Sequence, residues 1–337
     1  MIKFSIRMNN DVSVVDFVRA ATLAEENGFD QVWVSNDLFW RSAAVLIAAA
    51  VPATSRIALG AGVLNPVSMH VAEIAMLAAS LHEMSAGRFK LGIGAGADRF
   101  LSWAGMQPPP ALARTRQALL ELRSLLAGGA VPGWAGEARI RTGRADVPIY
   151  VGAMGPRMLE LAGEVADGAL PLLLPPEHYV QAAARIAAGA RRAGRQPADL
   201  DVAACVWCAV ANDAASARRS MAAKIAYYGP SFHPSLLERA SVSPDDFTPI
   251  EQALSENRFE RALGLVTPAM LRLGIVGAAG EVTARCTELI VAGARHISFG
   301  PPLGPDIFQA INVLGREVVP ALRAASGAAR APGDRRN

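Results

Sequence analysis

Short apolar runs alternate along this chain with longer stretches in which apolar residues recur at three- and four-residue spacing. Runs bounded by glycine, proline or asparagine read as buried strands, and the spaced stretches read as amphipathic helices. Strands are expected at Lys3 to Met8, Gln31 to Ser35, Arg56 to Gly62, Phe89 to Gly94, Pro148 to Gly152, Gly168 to Leu173, Asp201 to Val210 and His296 to Gly300. Helices are expected to begin near Val14, Ser42, Ser68, Ala111, Pro156, Glu177, Asp213 and Glu281. In the third of these, Val71, Ile74, Leu77, Leu81 and Met84 form one stripe, and Gly87 ends it.

Strand and helix in strict alternation predict an α/β protein, specifically a (β/α)8 TIM barrel spanning residues 1–337 as a single domain. A doubly wound open sheet is the rival, and its usual G-x-G-x-x-G turn is missing after Met8. Two stretches break the rhythm. Residues 128–147 read as a loop or hairpin insertion, and residues 229–268 as a proline-punctuated helical insertion. Insertions after barrel strands commonly form lids or substrate walls. Residues 326–337 read as a flexible tail.

Composition narrows the function classes. The chain has 337 residues, of which 52% are hydrophobic, enough for a large core. Its longest apolar run, Ala43 to Ala53, is too short to cross a bilayer and contains Pro52, and MIKFSIRMNN lacks the apolar core of a secretory signal. A soluble, cytoplasmic protein with no membrane partner is expected. Net charge is +3, and the arginines are scattered, with small clusters only at Arg191, Arg192, Arg195 and at Arg335 and Arg336. No stripe suited to a nucleic acid backbone emerges, so nucleic acid is not an expected partner. Cys205 and Cys208 have C-x-x-C spacing, but inside the strand-like DVAACVWCAV their thiols point to opposite faces, which argues for packing over redox work. Cys286 stands alone, and His70, His82, His178, His233 and His296 are spread singly, so no metal site is expected.

The strongest local feature is PIYVGAMGP at 148–156, an apolar strand that breaks into glycines and a proline as a helix begins. A helix start carries unpaired N–H groups and partial positive charge, so anions settle there. Gly152 and Gly155 let the backbone come close to a ligand, and Pro156 suits the first helical position. An ordinary strand-to-helix turn needs glycine as well, so the motif alone leaves both readings open. In a barrel the chemistry belongs at the carboxyl ends of the strands. Those ends hold Asn9 and Asn10, Asn36 and Asp37, GVLNP at 62–66, GAGAD at 94–98, Gly152 to Pro156, Leu173 to Pro175, and GPPLGPD at 300–306. None of them assembles a Ser-His-Asp set, paired catalytic carboxylates or a metal cluster. A pocket shaped by backbone points to a reaction carried by a cofactor. Asn36 and Asp37 also suit a cap on the following helix, and GAGAD a flexible turn.

In order and spacing, GFDQVWVSND (28–37), RIALGAGVLNP (56–66), LHEMSAGRFKLGIGAG (81–96), PIYVGAMGP with ADGAL (148–170) and FGPPLGPD (299–306) carry a resemblance. The chain resembles the luciferase-like superfamily of flavin- and deazaflavin-dependent oxidoreductases, and within it the coenzyme F420-dependent methylenetetrahydromethanopterin reductase branch. The resemblance implies a TIM-like barrel binding coenzyme F420 across its mouth, hydride exchange with a small-molecule substrate, and a homodimer. Carried over by position, Gly152, Ala153, Met154, Gly155 and Pro156 become the cofactor phosphate loop. Asn36, Asp37, Gly62, Val63, Leu64, Asn65, Gly94, Ala95 and Gly96 become the lining of the ring system, with a non-prolyl cis peptide implied at Gly62–Val63. Arg7, Asn36, Asp37 and His70 become the polar candidates near the reacting centre, His70 having a structural reading as its rival.

The chain departs from that branch twice. Where the reductases carry an acidic residue at the end of the first strand it has Arg7, and where they carry Thr-Asp-His after the second it has Ser35, Asn36 and Asp37. Arg7 puts a fixed cation where a proton donor would stand, which directs expectation towards an anionic or carbonyl-bearing substrate. Two rival functions are an FMN-dependent luciferase-like monooxygenase and a non-catalytic barrel used for binding.

Overall fold

The computed structural model describes residues 2–96, 98–107, 109–173, 175–232 and 234–328. Among them ten strands alternate with helices: β1 (Lys3–Met8), β2 (Gln31–Val34), β3 (Ala58–Leu64), β4 (Phe89–Ile93), β5 (Ile149–Ala153), β6 (Gly168–Pro171), β7 (Asp201–Val202), β8 (Ala204–Val210), β9 (Ile275–Gly277) and β10 (His296–Leu303). The protein is α/β with a parallel sheet of ten strands, two more than expected. One addition comes from the run 201–210, which divides because Asp201 and Val202 pair with β6 whereas Ala204 to Ala209 pair with β10. The other is β9, whose three residues are too short to stand out from their apolar surroundings. Helices begin at Val14, Ala43, Val71, Ala111, Pro156, Pro176, Ala214 and Ala279, each within three residues of its expected start.

The chain packs as two compact units, Ser5–Leu172 with Ala182–Ala203, and Met1–Phe4 with Leu173–Gln181 and Ala204–Asn337. In the first unit, β1 to β7 pair in sequence order, every pair parallel. In the second, β8 lies between β10 and β9, again parallel, and all seven residues of β8 are buried, as expected for a parallel strand covered on both faces. Cys205 and Cys208 lie in that strand, buried and outside any disulfide, as is Cys286. Burial pushes the Cys208 thiol well up, with Cys286 adding to the shift, so neither thiol is poised as a nucleophile.

Of the two insertions, residues 128–147 form a loop without regular structure. The second insertion is helical, with Pro234–Glu238, Thr248–Ser255 and Phe259–Gly264, and its Leu237, Phe247, Ile250 and Ala262 share one buried cluster with Met221 and Ile225 of the helix Ala214–Tyr228. The final helix, Val319–Ala328, takes in the start of the expected tail. Residues 329–337 of that tail, together with Ala97, Leu174 and His233, lie outside the described residues. Among the described residues no helix is long and apolar enough to cross a membrane.

β3 begins two residues later than the sequence suggests, for a local reason. The backbone N–H groups of Arg56 and Ile57 donate to Glu25 Oε2 at 2.6 and 2.7 Å, and Ser55 donates its N–H at 3.0 Å, so these residues anchor to a carboxylate instead of joining a ladder. Burial raises the Glu25 carboxyl, but the N–H groups of Ile57, Arg56 and Ser55 outweigh it and hold the group at about 2. Because an unperturbed glutamate titrates near 4.5, the stability contributed here is complete above that pH and is lost as pH falls towards about 2. Glu25→Gln is therefore expected to cost about 1–2 kcal/mol at neutral pH and to flatten the loss of stability between pH 5 and 3. Urea melts across that range check it, and a wild-type slope retained in the variant would contradict it.

Candidate functional site

The candidate residues carried on β1 to β5 and the loops that follow all fall in the first compact unit. Their arrangement starts from Trp33 on β2. Its indole N–H donates to Gln31 Oε1 at 2.8 Å, Gln31 Nε2 donates to Asp201 Oδ2 at 3.1 Å, and the Tyr150 hydroxyl donates to the same oxygen at 2.9 Å. Burial, and then the Asp201 carboxylate, push the Tyr150 hydroxyl up, so it stays protonated as the donor that this chain needs. The Trp33 and Tyr150 rings meet edge to face at 4.9 Å. This buried polar chain makes a rigid floor for the strand ends.

Above that floor β3 bulges. Its register with β4 runs from Ala61↔Leu91 to Leu64↔Ile93, so Gly62 and Val63 together oppose Gly92 alone, and the Gly62–Val63 peptide is cis. Val63 seats against Gly94 and Gly152, where only glycine leaves room for its side chain. A Cβ on Gly94 would lie 2.8 Å from Val63 Cγ2, and one on Gly152 would lie 2.9 Å from Val63 Cγ1. The neighbouring Leu64 and Ala153 are buried, so these two residues back the strand ends from within.

Asn65 ties the bulge to the next loop. Its Nδ2 donates to the Ala95 carbonyl, and its Oδ1 accepts from the Val67 N–H at 2.8 Å, closing a turn. Gly96 follows at φ +67, where an added Cβ would meet Asn65 Nδ2 at 2.9 Å. Arg114, from the helix Ala111–Leu126, donates to the Pro66 carbonyl at 2.8 Å and fixes the turn from behind.

After β5, Met154, Gly155 and Pro156 are exposed, and no heavy atom lies within 4 Å of where a Gly155 Cβ would stand. Gly155 is the N-cap of the helix Pro156–Val165 and supplies no capping side chain. An open helix start of this kind favours an anionic ligand.

The polar candidates separate. Asn36 Oδ1 accepts from the Ala43 N–H at 2.9 Å, so its carbonyl oxygen caps the helix Ala43–Ala50 while Ser42, the N-cap by position, makes no such bond. His70 is the N-cap of the helix Val71–Met84; its Nδ1 accepts from the Ala72 N–H at 3.2 Å and its ring stacks on Trp134 from the 128–147 loop at 5.4 Å. Arg7, the penultimate residue of β1, is 9% exposed and stands opposite Trp33 in the register.

Asn10 is the important residue that strand-end reading noticed but did not assign. Fully buried, it donates from Nδ2 to the carbonyls of Asp37 at 2.9 Å and Arg41 at 2.7 Å, and its Oδ1 accepts from the Asp37 N–H at 3.2 Å. Ser35 Oγ donates to the same Oδ1 at 3.0 Å. The loop carrying Asn36 and Asp37 is thus clamped from β1, and only the doubled asparagine after Met8 hints at it. Phe39, exposed on the loop after β2, and Trp103, exposed at the end of the helix Asp98–Trp103, meet at 6.3 Å, and the Arg99 guanidinium lies 4.7 Å from the Trp103 ring. Nothing in the spacing of these residues announces that contact.

The model of the luciferase-like monooxygenase family matches residues 3–296. A 5,10-methylenetetrahydromethanopterin reductase from Methanolobus tindarius is 34% identical over 323 residues, covering 94% of this chain and 99% of that protein. An F420-dependent glucose-6-phosphate dehydrogenase from Beutenbergia cavernae is 35% identical over 210 residues, covering 56% of this chain and 62% of that one. Among solved structures, the coenzyme F420-dependent tetrahydromethanopterin reductase from Methanopyrus kandleri is similar at a TM-score of 0.87 and 28% identity, covering 95% of this chain and 99% of the other. The chain belongs to the luciferase-like monooxygenase family.

Proposed function

We propose that this protein is a coenzyme F420-dependent oxidoreductase that exchanges hydride between the deazaflavin and a small organic substrate. One observation carries the reading: the carboxyl ends of β3 and β5 carry a bulge whose Val63 seats against Gly94 and Gly152, and an exposed helix start at Gly155 without a capping side chain, features suited to a flat ring with an anionic tail. The similarity to F420-dependent enzymes over most of the chain supports it. The ten strands are read as a closed TIM-like barrel, and the protein as a cytoplasmic homodimer.

When bound, the deazaflavin supplies the carbon that gives or takes the hydride. The chain's own residues bind, orient and exclude water. Gly152 to Pro156 hold the phosphate through backbone N–H groups and the helix dipole. Gly62, Val63 and Leu64 support the ring from behind, and Asn65 keeps Gly94, Ala95 and Gly96 against it through the bond to the Ala95 carbonyl. Asp37, held by Asn10, and Asn36 fix the loop beside the ring. Arg7 orients the substrate through an anionic or carbonyl oxygen, in place of the acid that the reductase branch carries.

Anaerobic oxidation of reduced F420 against a panel of anionic and carbonyl acceptors tests this assignment. Arg7→Met is expected to raise the KM for a productive acceptor about 10- to 100-fold, the worth of a lost charge-assisted hydrogen bond, with F420 affinity unchanged. An unaltered KM in that variant would remove Arg7 from the substrate site.

A further inference from the structure

Behind the two loops joined by Asn65 there is a small cavity of about 10 Å³, lined in part by Pro66, Val67, Ala95, Asp98, Arg114 and Thr115. Its volume is close to what one water requires. Thr115 is 1% exposed, and its Oγ1 has no hydrogen-bond partner among the described residues. A threonine within a helix usually returns its hydroxyl to the carbonyl four residues back, here that of Ala111, and Thr115 makes no such bond. An unpaired hydroxyl in a dry interior is destabilising, whereas polar groups around a water-sized space hold ordered water. Residues that can supply such groups, Arg114 and Asp98 by side chain and Pro66 and Ala95 by backbone, are among those lining it.

We propose that one ordered water fills this cavity, accepts from or donates to Thr115 Oγ1, and bridges the helix Ala111–Leu126 to the turn at Asn65–Val67 and the loop at Gly94–Gly96. Thr115 is thereby a positioning residue for the cofactor site. It acts through the water, alongside the direct bond from Arg114 to the Pro66 carbonyl. Only the cofactor arm of this inference rests on the F420 reading; the water does not depend on it.

Thr115→Val separates the possibilities because it keeps the shape of the side chain and removes the hydroxyl. If the water is present, Val strands it, and the apoprotein Tm is expected to fall by about 2 °C or more. If the cavity is dry, Val removes an unpaired polar group and the Tm rises, which overturns the proposal. A crystal structure of the wild-type apoprotein at high resolution is expected to show one water within hydrogen-bond distance of Thr115 Oγ1, and an empty cavity or a direct bond from Oγ1 to a protein carbonyl overturns it. In F420 fluorescence titrations Thr115→Val is expected to raise Kd about 3- to 10-fold and Thr115→Ser to stay within about twofold of wild type. A Thr115→Val protein that binds F420 like wild type overturns the positioning role. Wild-type protein that fails to bind F420 would sink the proposed function instead, leaving the water to be judged by the Tm and the density.

Discussion

Gly152→Ala is expected to weaken F420 binding about 10- to 100-fold, with a much smaller effect on the folding of the apoprotein. The added Cβ would lie 2.9 Å from Val63 Cγ1, closer than real contacts of this kind allow. Val63 resists swinging aside, because a β-branched side chain is stiff at χ1. The bulge must move, and overpacking of this kind costs about 1–3 kcal/mol, expressed where the ring would rest. Val63→Ala in the same chain removes the clash and is expected to recover most of the affinity. Fluorescence quenching of F420 measures both variants; a Kd for Gly152→Ala within twofold of wild type would contradict the bulge at Val63 as the ring's support.

Gly163→Ala is expected to be strongly destabilising, at about 3 kcal/mol or more, with little soluble protein recovered. The new Cβ would stand 2.0 Å from the Ile186 carbonyl oxygen and 2.7 Å from the Ala190 nitrogen, so backbone would have to part. Gly189 is the reciprocal point, its Cβ position lying 2.0 Å from the Glu160 carbonyl oxygen. Because both substitutions wedge the same contact, the Gly163→Ala, Gly189→Ala double variant is expected to lose less than the sum of the two. Chemical denaturation of whatever folds checks this. The consequence reaches the site, since the helix Pro156–Val165 carries the exposed start at Gly155. A Gly163→Ala protein as stable as wild type would mean that the two helices do not need their close approach.

Much of this organisation was legible in the sequence because burial writes itself as periodicity. β1 was placed to the residue and β2, β4 and β5 to within one at either end, since each is a short apolar run stopped by glycine, proline or a polar pair. Where strands departed from expectation, the cause lay in interactions that a local pattern does not encode. Arg56 and Ile57 look like strand but serve a carboxylate thirty residues earlier in the chain, at Glu25. The run 201–210 is one apolar segment, yet its two parts pair with different strands. At the site, the glycines were visible and their purpose was not: that Gly94 and Gly152 both make room for Val63 is a fact of register between β3, β4 and β5. His70 attracted attention as a titratable group near a strand end, whereas its Nδ1 is engaged in capping. Asn10 and Thr115 carry no motif at all, since a clamp on a loop and a hydroxyl facing a cavity become readable only once the chain is folded.

The central claim, a cradle built for F420, is tested most directly by titrating the purified apoprotein with F420 and, separately, with FMN while following cofactor fluorescence. Saturable binding of F420, with FMN at least about 100-fold weaker and the Gly152→Ala variant impaired towards F420, is the predicted result. Tight binding of FMN with no measurable affinity for F420 would contradict it.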